Sequence, residues 1–165
     1  MKTTEKAPDL QVNVITGLSG AGKSQTIHFF EDAGFFCVDN LPPTLLPKFL
    51  ELCRNTHGQV SRIAVVIDVR GGSFFQSIFD TVDQMREEGI FCRILFLEAT
   101  DEVLVRRFSE TRRKHPLSQG GAVLEDIRFE RSALEALRAK ADFLINTSDM
   151  KSRELYQEIR KIIEH

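Results

Sequence analysis

No stretch of the 165-residue sequence approaches the roughly 20 consecutive apolar residues that a membrane-crossing helix needs. The first ten residues, MKTTEKAPDL, also lack the apolar block of a secretory signal. They read as a flexible lead-in over 1–10, ahead of one domain over 11–165. The expected location is therefore cytoplasmic, with no membrane partner. Excess charge of one sign is missing too, since 22 basic and 24 acidic side chains leave a formal net charge of −2. This excludes a protein that coats nucleic acid by charge alone, although a local basic patch remains open. Cysteine is scarce and odd in number, with Cys37, Cys53 and Cys92 at no metal-ligand spacing. The four histidines, at 28, 57, 115 and 165, form no zinc pattern. There is no internal repeat and no low-complexity tract.

What is present is a regular alternation. Apolar blocks at 12–16, 35–39, 63–69, 91–98 and 142–147 read as strands. The third and fourth are close to uninterrupted, as in a parallel sheet covered on both faces. Between them the period becomes helical. Phe75, Ile78, Phe79, Val82 and Met85 share one face over 73–88, with a Ser-x-x-Gln capping box at 73–76 and Gly89 to end the turn. Pro42, Pro43 and Pro47 place the start of the second helix near Thr44. One further helical stretch covers 124–140, and Leu155, Ile159, Ile162 and Ile163 make the apolar stripe of a closing helix. The order predicts an open, doubly wound, mainly parallel five-stranded α/β sheet with helices on both faces. Ligands in such sheets bind beyond the C-terminal ends of the strands.

The strongest signal sits after the first strand. GLSGAGKS, residues 17–24, matches G-x-x-x-x-G-K-[ST] through Gly17, Gly22, Lys23 and Ser24, with Leu18, Ser19, Gly20 and Ala21 between. Glycines let the backbone curl until successive N–H groups face a phosphate, and the next helix adds its positive end. Lys23 is expected at the β- and γ-phosphates and the Ser24 hydroxyl on Mg²⁺. The predicted class is a P-loop NTPase fold with a nucleoside triphosphate as ligand.

Other strand ends supply candidates of lower specificity. Asp68 closes AVVID as a Walker B carboxylate would, on Mg²⁺; the plainer reading is an Asp at a strand-to-loop turn. Arg70 follows it, within reach of a phosphate or a base. Asp39, in VDNLPP, could orient water or accept a substrate proton, or simply open an Asx turn. Arg106, Arg107, Arg112, Arg113 and Lys114 crowd one segment before Pro116 and a glycine-containing loop. They read as a lid that brings arginines over the triphosphate, with Arg112 and Arg113 as catalytic candidates beside Lys23 and Asp39. The alternatives are a solvated helix face and a contact patch for RNA phosphates. Glu110, Glu125, Asp126 and Glu130 dilute that positive field. INTS, 145–148, ends the last strand where small kinases place a base-contacting loop.

Taken together, GLSGAGKS, FFCVDNLPP, IDVR and RRFSETRRKHPLS resemble the N-terminal domain of the RapZ/YvcJ family of bacterial nucleotide-binding proteins, which includes RNase adapter proteins. The likeness runs from about Val12 to the last residue. It implies binding of ATP and GTP with weak hydrolysis of both. It places the ATP phosphates on Gly17 to Ser24 and attributes a GTP segment to Asp68, Val69, Arg70 and Gly71. Asn146 stands where the family generally carries Asp. The family also has a C-terminal domain associated with RNA, which this sequence does not reach. An RNA or RNase partner therefore belongs to a longer protein and is not assigned to these residues. A homo-oligomer stays open. The competing readings are a P-loop small-molecule kinase, with Asp39 as base, and a plain RNA-binding domain.

Overall fold

The computed structural model describes residues 10–56, 58–67, 75–111 and 120–164. Five strands, β1 (Gln11–Gly17), β2 (Phe36–Val38), β3 (Arg62–Val66), β4 (Phe91–Glu98) and β5 (Phe143–Asn146), form one sheet in the order β2-β3-β1-β4-β5. All four pairings are parallel. Consecutive residues of the inner strands, Val14 and Ile15 on β1 and Ile94 and Leu95 on β4, are all buried. Both faces of the sheet are thus covered, as the uninterrupted apolar runs require.

All five expected strands exist, three of them, β2, β3 and β5, shorter than the sequence suggests. β2 begins at Phe36 because the Phe35 amide turns back to the Phe30 carbonyl (3.0 Å). β3 ends at Val66; Ile67 still donates to the Ile15 carbonyl (3.0 Å), and 68–69 lie outside the described residues.

The helices are α1 (Lys23–Asp32), α2 (Leu46–Arg54), α3 (Phe75–Glu87), α4 (Asp101–Thr111), α5 (Gly120–Ala133), α6 (Glu135–Ala139) and α7 (Ser152–Glu164). A 3-10 turn over Pro43–Leu45 leads into α2, close to the expected start at Thr44. Ser73 of the expected capping box lies outside the described residues. The far end of α3 closes as expected, with Gly89 at φ 82° and the Ile90 amide on the Met85 carbonyl (2.9 Å). The single helical stretch expected over 124–140 is two helices. Leu134, at φ −93° and ψ 1°, steps out of helical geometry between α5 and α6. α7 buries Leu155, Ile159 and Ile162 and packs against α1, where Tyr156 meets Phe29 edge-on at 5.2 Å.

The chain leaves β1 toward β2 and leaves β4 toward β5, so the winding reverses between β1 and β4. The crevice of such a sheet opens at the C-terminal ends of that strand pair. Gly17 is the hinge of this crevice. It pairs with Leu97 at φ 138°, and a Cβ on it would stand 2.1 Å from the Leu97 carbonyl oxygen.

Among the described residues, one charged side chain is buried within the sheet. Arg93 of β4 is 5% exposed and donates from Nε to Asn13 Oδ1 on β1 (2.6 Å). Its guanidinium lies 5.1 Å from the Phe91 ring centroid, and one terminal nitrogen has no partner among the described residues. Burial pulls its pKa down and the Asp142 charge pulls it back up. Two predictions follow from the Gly17 and Arg93 geometry. Gly17→Ala combines a backbone clash with left-handed strain and should cost about 4 kcal/mol or more in thermal melts, or prevent folding. Asn13→Ala strands a buried cation and should cost about 3 kcal/mol, whereas the double variant Asn13→Val with Arg93→Met, which removes both buried polar partners, should be near neutral. Denaturant titration of both variants checks this, and equal losses would contradict it.

Candidate phosphate-binding site

The segment between β1 and α1 is built on three glycines at positive φ: Gly17 at 138°, Gly20 at 81° and Gly22 at 110°. Side-chain-bearing residues seldom adopt such values, so the curl depends on glycine at these points. The bend is pinned at its base by the Leu18 amide on the Leu97 carbonyl (3.0 Å) and by the Ala21 amide on the Leu18 carbonyl (3.1 Å). Leu18 and Ala21 are fully buried, whereas Gly20 and Ser24 are exposed, so the loop is anchored below and open above.

The carbonyls of this loop are held from outside. Thr147, just past β5, donates its hydroxyl to the Ala21 carbonyl (2.7 Å). Arg107 of α4 donates to the Gly20 carbonyl (3.1 Å), the Thr147 hydroxyl (3.0 Å) and the Thr147 carbonyl (2.7 Å). A trans peptide sets its C=O and the following N–H in opposite directions. Holding the Ala21 carbonyl outward therefore aims the Gly22 amide inward. Among the described residues, the amides of Gly20, Gly22 and Ser24 have no acceptor. Gly22 caps α1 without a side-chain hydrogen bond, and no acidic residue stands in the first turn. The positive end of α1 is thus left without a cap of its own. Lys23 adds its ammonium, with Nζ on the Gly17 carbonyl at 2.8 Å, across the loop.

The structure brings together Gly17, Leu18, Ser19, Gly20, Ala21, Gly22, Lys23 and Ser24 as one concave loop. Asp39 follows β2, exposed, beside Asn40 at φ 61°. β2 is separated from β1 by β3, which sets roughly 10 Å between those strands. Asp68, Val69, Arg70, Gly71, Arg112 and Arg113 lie outside the described residues. Asn146 closes a turn, accepting from the Ser148 amide (3.0 Å) and hydroxyl (2.6 Å).

Two contacts were not legible in the chain. Thr147 falls within INTS, but nothing there announced a bond to the loop. Glu130 of α5 accepts the Ser19 amide on Oε1 and the Ser19 hydroxyl on Oε2, both at 2.7 Å. Local patterning carries no signal for a contact spanning 111 positions.

Among the described residues, no group of three His, Cys, Asp or Glu could hold a metal ion. The exposed Ser24 hydroxyl at the loop mouth suits a hard cation that takes its other oxygens from a phosphate. A separate cavity of about 560 Å³ opens beyond the ends of β4 and β5. Its arginines are already neutralised, Arg138 by Glu98 (2.7 Å) and Arg131 by Asp101 (2.8 Å), and the loop does not line it. Burial pushes the Cys37 thiol up to about 11 and the Cys92 thiol up to about 12, and raises Cys53 as well, which disfavours the nucleophilic thiolate at each. No helix among the described residues is long and apolar enough to cross a membrane.

Comparison with known proteins agrees with this geometry. The chain is 54% identical over 149 residues to a nucleotide-binding protein of Clostridium botulinum, covering 90% of this chain and 51% of that protein. A nucleotide-binding protein of Heliobacterium modesticaldum is 55% identical over 150 residues, covering 91% and 50%. The chain thus spans about half the length of the curated relatives it matches. Among solved structures, shikimate kinase from Bacteroides thetaiotaomicron superposes with a TM-score of 0.61 at 14% identity, covering 94% of this chain and 99% of that one. A gluconokinase from Sinorhizobium meliloti gives 0.53 at 15%, covering 96% and 95%. These likenesses show the P-loop kinase-like fold. The sequence model described as the RapZ-like N-terminal domain matches residues 10–165, and the chain belongs to that family.

Proposed function

We propose that this chain binds ATP and GTP at the 17–24 loop together with Mg²⁺ and hydrolyses them slowly, as the nucleotide-binding module of a regulatory, RNase-adapter-type protein. One observation carries the reading: an uncapped helix N-terminus with inward-aimed amides lacking acceptors among the described residues, beside a lysine. An anion is the ligand that such a group of donors lacks. The names of the relatives, both nucleotide-binding proteins, make a nucleotide the natural polyanion.

In this reading the amides of Gly20, Gly22 and Ser24 take phosphate oxygens, and the Lys23 ammonium balances charge on the β- and γ-phosphates. Arg107 and Thr147 keep the loop in its receptive shape. Ser24 and Asp68 would hold Mg²⁺, which supplies charge neutralisation at the phosphate oxygens. Arg112 and Arg113 close over the nucleotide from the lid segment, and Asp39 orients water. Slow rather than fast turnover is expected in this reading, since Asp39 follows β2, which is not adjacent to the loop-bearing β1. RNA contacts and RNase regulation belong to the whole protein, of which this chain represents the nucleotide-binding part.

Calorimetry with ATP, GTP and their diphosphates, with and without Mg²⁺, tests the reading. Lys23→Ala should weaken triphosphate binding by about 100-fold or more while leaving the circular dichroism spectrum intact. Undiminished affinity in that variant would remove the loop as the site. Phosphate release that is independent of any hydroxyl acceptor separates this function from the small-molecule kinase. Stoichiometric phosphorylation of an acceptor would decide for the kinase.

A further inference from the structure

The loop already contains one anion, and the chain supplies it. Both oxygens of the Glu130 carboxylate are committed to Ser19, Oε1 to the backbone amide and Oε2 to the hydroxyl, each at 2.7 Å. These are short, charge-assisted bonds, the stronger kind of hydrogen bond a protein makes. Ser19 lies directly before Gly20, the first of the loop amides without an acceptor. It is half-buried, as is Glu130, so the contact is only partly screened by water. Nothing in the α5 backbone requires Glu130 to reach there. That helix is fastened separately, through Arg131 on the Ala99 carbonyl (2.7 Å) and Asp101 (2.8 Å), and Leu134 follows it into the core.

We infer that Glu130 is an internal competitor for the phosphate loop, which a bound polyphosphate must displace from Ser19. This rests on the nucleotide reading above and adds to it a residue that sets affinity by charge. A polyphosphate seated on the Gly20–Ser24 amides brings several negative charges beside the carboxylate that already holds the adjacent Ser19 amide. Like charges on neighbouring amides repel appreciably in a partly screened site. The loop therefore exists in two states, one holding Glu130 and one free for phosphate. Apparent affinity is the intrinsic affinity reduced by the fraction that is free. The same exchange couples ligand to fold: loading the loop releases a side chain of α5, the helix that follows the arginine-rich segment 106–114.

The test uses Glu130→Gln, which keeps the shape and one neutral acceptor for the Ser19 amide, and Glu130→Ala, which removes the contact. ATP and inorganic tripolyphosphate are titrated into both variants and the unaltered chain by calorimetry, with phosphate release followed in parallel. Both variants should bind ATP and tripolyphosphate about tenfold more tightly than the unaltered chain. The gain should be equal for the two probes, because the contest is for phosphate and not for the base. Unchanged or weaker binding in both variants would overturn the competitor and leave Glu130 as a brace for the loop. Unchanged binding with slower phosphate release would overturn it in favour of a water-orienting group. Binding in the unaltered chain with no gain in the variants leaves the nucleotide reading standing. Absence of binding in all three proteins would sink that reading and the competitor with it.

Discussion

A planar peptide unit cannot turn its carbonyl outward without turning the next amide inward, and the site follows from this constraint. Thr147 and Arg107 hold the carbonyls of Ala21 and Gly20 from outside the loop. The Gly22 amide that follows Ala21 is left without an acceptor among the described residues at the positive end of α1, with no side-chain cap there, while the Ala21 amide is spent on the Leu18 carbonyl. A buried helix end in this condition would be a defect. Here Gly20 and Ser24 are open to solvent, so the unmet donors are available to a ligand. The fold contributes position: β1 is the central strand, and its carboxyl end meets the reversal of winding between β1 and β4.

The core and the site use polar groups in opposite ways. Arg93 is a cation enclosed among aromatic rings with Asn13 as its hydrogen-bonding partner, and its energetics are those of desolvation. Lys23 is a cation at a rim, donating to the Gly17 carbonyl beside the exposed Ser24. The first kind of charge can be exchanged, together with its polar partner, for apolar side chains of similar size with little effect on the fold. The second has no apolar equivalent, since its value lies in the charge it offers.

The sheet was legible in the sequence because its information is local. A strand buried on both faces has to be apolar at consecutive positions, and 91–98 reads that way whatever lies around it. The loop was legible for the same reason, since glycine is needed where φ is positive and the spacing to Lys23 and Ser24 is short. What escaped was long-range or depended on a backbone detail. Leu134 breaks a helix that its amphipathic pattern would have continued. Glu130 counted only as dilution of a positive field until the fold set it against Ser19. Arg107 was one arginine among several, and nothing in its neighbours distinguished it as the one that reaches Gly20 and Thr147.

The outward grip on the loop has a consequence for how the protein is made. Its two clamps are contributed by α4 and by the turn after β5, separated from the loop by 87 and 126 positions. A synthetic fragment carrying β1, the glycines and α1 would possess every residue of the motif and lack the forces that shape it. The shape of the loop therefore depends on contacts of long sequence separation, completed only when the last strand docks.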